Sequence, residues 1–278
     1  MLAHELKKAL DARGIAAVSV CRTECDITDS QALTHLFRTY SPTLLLNCAA
    51  HTGVDLCEEQ VDRANLINGI AVGNLAERCH AIGGKLVNFS TDFIFDGQSD
   101  RPYRVEDPPN PLSAYGRSKL LGEKLLAEVP KATWLNIRTA WLFGRHGNCF
   151  SKIILDRARA GHGLKVVNDQ FGCPTYAVDL ADAVLRLLDR KAEGIWHLTN
   201  SSPTNWYEFA RRILTEFSVH TEVAPISTSQ WVTMRPKQAH RPKYSVLDIG
   251  AYEALTGHRM RHWCEALHDY RTEREIAS

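Results

Sequence analysis

Apolar positions along the chain switch between a helical and a strand period, and the switching predicts most of its elements. Leu2, Leu6 and Leu10 share one stripe at helical spacing, which predicts an amphipathic helix over residues 1–13 with Gly14 as its stop. Short runs rich in branched and aliphatic residues predict strands at 15–20, 44–47, 86–89, 134–139 and 194–199. A further strand opens at Leu164 and passes into a loop through Pro174 to Thr175. Between them helical spacing returns, at 26–39, 63–81, a segment carrying Tyr115, 150–161, 178–188 and 206–217. Strand and helix alternate, so a parallel sheet covered by helices on both faces is expected. From residue 219 the periodicity weakens and Pro225, Pro236 and Pro242 interrupt it, predicting a smaller, looser lobe. Its last helices are expected at 246–257 and 262–270.

This order predicts an α/β protein with a Rossmann-type doubly wound parallel sheet and a smaller C-terminal substrate lobe. Residues 1–150 form the dinucleotide-binding domain, with 176–200 completing the sheet, while 151–175 and 201–278 form the substrate lobe. Such a sheet opens with a strand and a glycine-rich turn into the first helix, whose N-terminus faces a pyrophosphate. Here a helix stands at the start, with neither strand nor turn before it. Ala3 stands where a third glycine would pack helix on sheet, and the other two glycines are absent. The first strand is therefore missing from the expected sheet, and a start further upstream is expected.

Composition narrows the function. The chain has 278 residues and a net charge of +1 with neutral histidines, so nothing in its charge points to nucleic acid or an anionic membrane. No apolar run approaches the roughly 18 residues of a membrane span, and the N-terminus has no signal-peptide core. Eight cysteines are scattered without a paired framework, which predicts a reduced, cytoplasmic protein. His258, His262, Cys264 and His268 cluster near the C-terminus, but Arg259 and Arg261 make this a solvated basic face, and no metal site is assigned.

The chemistry concentrates at Ser113 to Lys119. Tyr115 and Lys119 are four apart, so on a helix their side chains share a face. An ammonium beside a phenol favours the phenolate and is expected to pull the Tyr115 pKa down from about 10. A tyrosine so placed can give a proton to a carbonyl oxygen. The 86–89 strand ends in Ser90-Thr91-Asp92, at the edge where open α/β sheets bind ligands, and a hydroxyl there can grip the same oxygen.

A Ser/Thr at a strand end followed by Tyr-x-x-x-Lys resembles the short-chain dehydrogenase/reductase superfamily. Six motifs carry a closer resemblance. They are Cys48-Ala-Ala-His-Thr-Gly-Val-Asp55, Ser90-Thr-Asp-Phe-Ile-Phe-Asp-Gly97 and Pro111-Leu-Ser-Ala-Tyr-Gly-Arg-Ser-Lys119, then Arg138-Thr-Ala-Trp141, Asn168-Asp-Gln-Phe-Gly-Cys-Pro-Thr175 and Arg241-Pro-Lys-Tyr-Ser-Val-Leu-Asp248. In order and spacing they resemble the dTDP-4-dehydrorhamnose reductases, across nearly the whole chain. The resemblance implies NADPH-dependent reduction of the 4-keto group of a dTDP-6-deoxyhexulose, giving dTDP-L-rhamnose. By position it makes Tyr115 the general acid at O4, Thr91 a hydrogen-bond donor to that oxygen, and Lys119 the holder of the nicotinamide ribose. Asp26 and Ile27 would lie along the adenine; Ala49, Ala50, His51 and Thr52 along the pyrophosphate and nicotinamide ribose, with Ser90 beside the cofactor. Asp92, Phe93, Trp141, Asp169 and Gln170 would face the sugar nucleotide. Mg²⁺ and a homodimer are implied by the resemblance alone.

Each residue also has a plainer reading. Trp141 can be core, His51 a loop cap, and Asp26 an N-cap. Arg22 can meet a 2′-phosphate, favouring NADPH over NADH, or be a solvated charge. The chain departs from the family at Phe93, where a Tyr is usual, at Cys173, where Ser or Ala is common, and in the missing glycine turn. Without that turn, weak NADPH binding by residues 1–278 as written is expected. Two other readings share the fold. A sugar-nucleotide dehydratase or epimerase places an acid after Thr-Asp, where this chain has Phe93. The non-catalytic regulatory subunit of methionine adenosyltransferase needs no intact Thr91, Tyr115 and Lys119 set.

Overall fold

The computed structural model describes residues 1–275. The chain opens with α1 (Leu2–Ala12), whose Leu2, Leu6 and Leu10 are buried as their spacing requires, and Gly14 ends it at φ 70°. Helix α2 (Ser30–Tyr40) is capped by Asp29, which accepts from the amides of Gln31 and Ala32. Strand β1 (Leu44–Asn47) leads through α3 (Val54–Glu59), α4 (Val61–Asn65) and a π turn at Leu66–Ile70 into α5 (Ala71–Ala81). Then come β2 (Lys85–Thr91), α6 (Ala114–Leu126), β3 (Trp134–Thr139), β4 (Leu142–Phe143) and α7 (Phe150–Arg159). β5 (Leu164–Val167), β6 (Phe171–Gly172), β7 (Thr175–Tyr176), α8 (Ala177–Asp189), β8 (Gly194–His197) and β9 (Thr204–Asn205) follow. The chain closes with α9 (Trp206–Glu216), β10 (Val223–Ile226), α10 (Thr228–Met234), α11 (Gly250–Thr256) and α12 (Trp263–Glu275).

The main sheet is parallel throughout, in the order β1-β2-β3-β8. Its register puts Asn47, Asn88 and Asn136 in one row, and they form a buried amide ladder. Asn47 donates to Asn88 at 3.0 Å, and Asn88 donates to Asn136 at 2.8 Å. One face packs Val87, Leu135 and Ile137 against α1 and α8, and the other packs Leu86 and Trp134 against α2 and α5. A separate core gathers Phe143, Leu155, Tyr176, Phe209 and Tyr270 from α7, α9, α12 and the short strands between them. A parallel pair, β5 with β10, flanks that core. Among the described residues no helix is long and apolar enough to cross a membrane.

Several elements differ from the sequence expectation. Residues 15–20 form no strand, because no neighbouring backbone among the described residues pairs with them; Ile15 and Val18 are 49% and 66% exposed. Among the described residues, β1 has β2 as its single sheet neighbour. The helix expected at 63–81 starts earlier, at Val54, and is broken by the π turn. The helix expected at 246–257 begins at Gly250, since Leu247 is drawn into a bridge with Tyr103.

Candidate active site

Strand β2 runs two residues past its expected end, so Ser90 and Thr91 sit at its carboxyl edge as sheet residues. The Thr91 hydroxyl donates to Asp92 at 3.1 Å and accepts from the Phe93 amide at 3.2 Å. Asp92 is 2% exposed and accepts from Ser245 at 2.5 Å. Burial pushes its carboxyl up to about 6, although the hydroxyls of Ser245 and Thr91 oppose the shift.

Helix α6 brings Tyr115 to this edge. Ser113 caps it by accepting from the Gly116 amide at 3.1 Å, and Glu58 accepts from the Ala114 amide at 2.8 Å. Gly116 sets how close the helix comes. A Cβ there would lie 2.2 Å from the Phe93 carbonyl oxygen, so only glycine permits this approach. The Phe93 ring meets the Tyr115 ring edge-on at 5.8 Å and 76°. The Thr91 hydroxyl is near enough to Tyr115 to stabilise its ionised form.

The expected acidification of Tyr115 does not occur. Burial drives its pKa above the ordinary phenol value, the charges of Asp92 and Cys57 add to the rise, and the Thr91 hydroxyl opposes it. Lys119, 4% exposed, is itself pushed down to about 8 by burial, with Glu123 pulling the other way. Desolvation outweighs the Tyr–Lys attraction that sequence spacing suggested. The phenol therefore holds its proton at neutral pH.

The loop after β1 is tied down by Asn68, a residue of the π turn that sequence reasoning missed. Its side chain accepts from the His51 amide at 2.8 Å and donates to the His51 carbonyl and to Ser118, both at 3.0 Å. Helix α6 reaches the π turn because Gly122 is there; a Cβ would lie 2.3 Å from the Asn68 carbonyl. Mid-helix π turns concentrate at functional sites, but a single amino-acid pattern does not announce them. Ala49, Ala50 and Thr52 are exposed along this edge. Two buried polar groups here lack hydrogen-bond partners among the described residues: Ser90 Oγ and His51 Nε2. Leaving such groups unbonded costs about 1–3 kcal/mol each. Together they fit a hydroxyl-rich ligand such as a nicotinamide ribose.

Asp26 is engaged locally, accepting from the Thr28 amide and hydroxyl at 3.0 and 2.7 Å and from exposed Arg22 at 3.1 Å. The N-cap of α2 is Asp29, and Ile27 packs on the core between α2 and α5.

A cavity of about 790 Å³ opens between α7, β5, β10 and α10. Its walls carry the aromatic rings of Phe150, Trp206 and Trp231 and the cations of Arg157, Lys165 and Arg241. Arg241 is held by both oxygens of Asp55 at 2.9 and 3.0 Å, joining α3 to the C-terminal loop at the cavity wall. Gln170 lines the cavity, while Asp169 is turned to the Thr228 amide and hydroxyl, at 2.8 and 2.6 Å. Trp141, at φ 47°, stands behind the wall, stacked on Trp206 at 3.5 Å with Gly172 against its ring. Cys173 is buried and its thiol is pushed up to about 12, the behaviour of a small apolar filler. Gln170 on the cavity wall is followed in the chain by Phe171, whose carbonyl accepts from the Ser245 hydroxyl, itself a donor to Asp92.

The family described as RmlD substrate binding domain matches residues 1–275. The chain belongs to this family. Within the RmlD family it is 40% identical over 276 residues to the spore coat polysaccharide biosynthesis protein SpsK of Bacillus subtilis (strain 168), covering 99% of this chain and 95% of that protein. A solved dTDP-4-dehydrorhamnose reductase from Clostridium acetobutylicum superposes with a TM-score of 0.92 at 38% identity, covering 99% of this chain and 96% of the other. A second, from Bacillus anthracis in complex with NADP, superposes with a TM-score of 0.92 at 31% identity, over 98% and 95% of the two chains. At that TM-score both share the Rossmann-type fold described above.

Proposed function

We propose that this chain reduces the 4-keto group of dTDP-4-dehydro-L-rhamnose with NADPH, giving dTDP-L-rhamnose. The observation that carries the reading is the placement of Tyr115 on α6, near the Thr91 hydroxyl at the carboxyl edge of β2 and one helical turn before buried Lys119. Reduction of a ketone adds a hydride to carbon and a proton to oxygen. NADPH, when bound, supplies the hydride. Tyr115 supplies the proton to O4, and its raised pKa keeps that proton available at neutral pH. The Thr91 hydroxyl grips the same oxygen as charge builds on it. Lys119 and Ser90 hold ribose hydroxyls, and the ammonium stabilises the phenolate left after transfer.

The remaining residues position the two substrates. The Ala49, Ala50, His51 and Thr52 stretch flanks the cofactor's pyrophosphate and ribose, with Asp26 and Ile27 on the adenine side. Phe93 and Asp92 shape the sugar end of the pocket. The aromatic and cationic cavity suits a nucleoside diphosphate, with Gln170 on its wall and Trp141 bracing Trp206. A 35% identical protein of Burkholderia thailandensis, called dTDP-4-dehydrorhamnose reductase, bears on this reading.

Purified chain should consume reduced nicotinamide when given dTDP-4-dehydro-L-rhamnose, with dTDP-L-rhamnose as the product on chromatography. NADPH should be preferred to NADH, and a UDP-linked sugar should turn over more slowly. Demonstrated binding of NADPH and substrate without any turnover would overturn the proposal.

A further inference from the structure

Outside this site, one group of ligating side chains has no task in the reduction. His4 and Glu5 lie in the first turn of α1, and His146 lies in the loop between β4 and α7. One ligating atom from each lies within 4.8 Å of the other two. Glu5 is 5% exposed, yet its carboxylate accepts no hydrogen bond among the described residues. His146 Nε2 stands 3.9 Å from it, beyond hydrogen-bond range. A buried carboxylate is expected to be paired or to ligate a metal, because its desolvation is otherwise uncompensated.

The two imidazoles lie with ring centroids 3.8 Å apart and planes tilted by 51°. A neutral ring is the form that binds metal.

We propose that His4, Glu5 and His146 bind one divalent metal ion of the zinc class, pinning the start of α1 to the loop before α7. Two imidazoles and a carboxylate form the donor set of such ions when they keep open positions for water. Mg²⁺ prefers oxygen ligands in octahedral array, so these residues do not fit the Mg²⁺ that family resemblance suggests. Closing the set around one ion needs donors about 3.3–3.6 Å apart, at metal bonds of about 2.0–2.2 Å. His4 is exposed and His146 only half-buried, so both rings can swing inward. Sequence spacing hid this group, since 146 is remote from 4 and 5 in the chain. The C-terminal histidines show the contrast: His262 Nδ1 accepts from the Cys264 amide at 3.0 Å, and His268 pairs with Glu216 at 2.8 Å.

The test is titration of chelator-stripped full chain with Co²⁺ and with Zn²⁺, followed by calorimetry, Co²⁺ visible absorption and thermal melting. One equivalent should bind and raise the melting temperature. Glu5→Gln and His146→Ala should each weaken it by roughly 10–100-fold or more, while His262→Ala leaves it unchanged. Should Glu5→Gln fold poorly, the loop variant His146→Ala decides. Absence of a stoichiometric site, or equal binding by wild type and His146→Ala, would overturn the proposal.

Discussion

Replacing Tyr115 with Phe should cut kcat by about 10²–10⁴, the usual range for losing a positioned general acid. The substitution removes one oxygen and keeps the ring, so the edge-on contact with Phe93 survives and α6 should dock unchanged. NADPH affinity should therefore hold while turnover falls, which stopped-flow kinetics and a fluorescence titration can separate. A variant retaining the full rate would mean that another group delivers the proton.

Lys119→Met should lower kcat/KM by roughly 10–100-fold, the value of a charge-assisted hydrogen bond left unmade. It should also change the pH profile. Burial lowers the folded Lys119 pKa from 10.5 to about 8. The ammonium is therefore intact below about pH 8 and lost as pH rises through it, so wild-type kcat/KM should fall on the alkaline side with an apparent pKa near 8. Tyr115 cannot cause that limb, since its own pKa is raised. The effect on stability has the opposite sign. The cost of burying the charge is present below pH 8 and is relieved between about 8 and 10.5, because the folded state releases this proton first. Persistence of the alkaline limb in Lys119→Met would assign it elsewhere.

These effects show where sequence was a good guide and where it was not. Leu2, Leu6 and Leu10 announce α1 because helical period is local, and β1 and β3 fall at their expected residues for the same reason. A strand also needs a neighbour, and the apolar run at 15–20 has none among the described residues. The Tyr115 and Lys119 pair was legible, but the direction of the tyrosine shift was not, because burial is a property of the packed site. Asn68 and Ser245 were equally hidden. Both act through contacts between residues distant in sequence, Asn68 on the His51 loop and Ser245 on Asp92. Gly116 stood inside a recognised motif, yet its reason is the Phe93 carbonyl that a side chain would strike.

The most direct test is a crystal structure of this chain with NADP⁺ and dTDP-L-rhamnose, in which the positions of the sugar O4, Tyr115 Oη and Thr91 Oγ1 are measured. Convergence predicts O4 within roughly 2.6–3.2 Å of both hydroxyls. A bound product whose O4 lies beyond reach of either one, with the cofactor seated along β2, would contradict it.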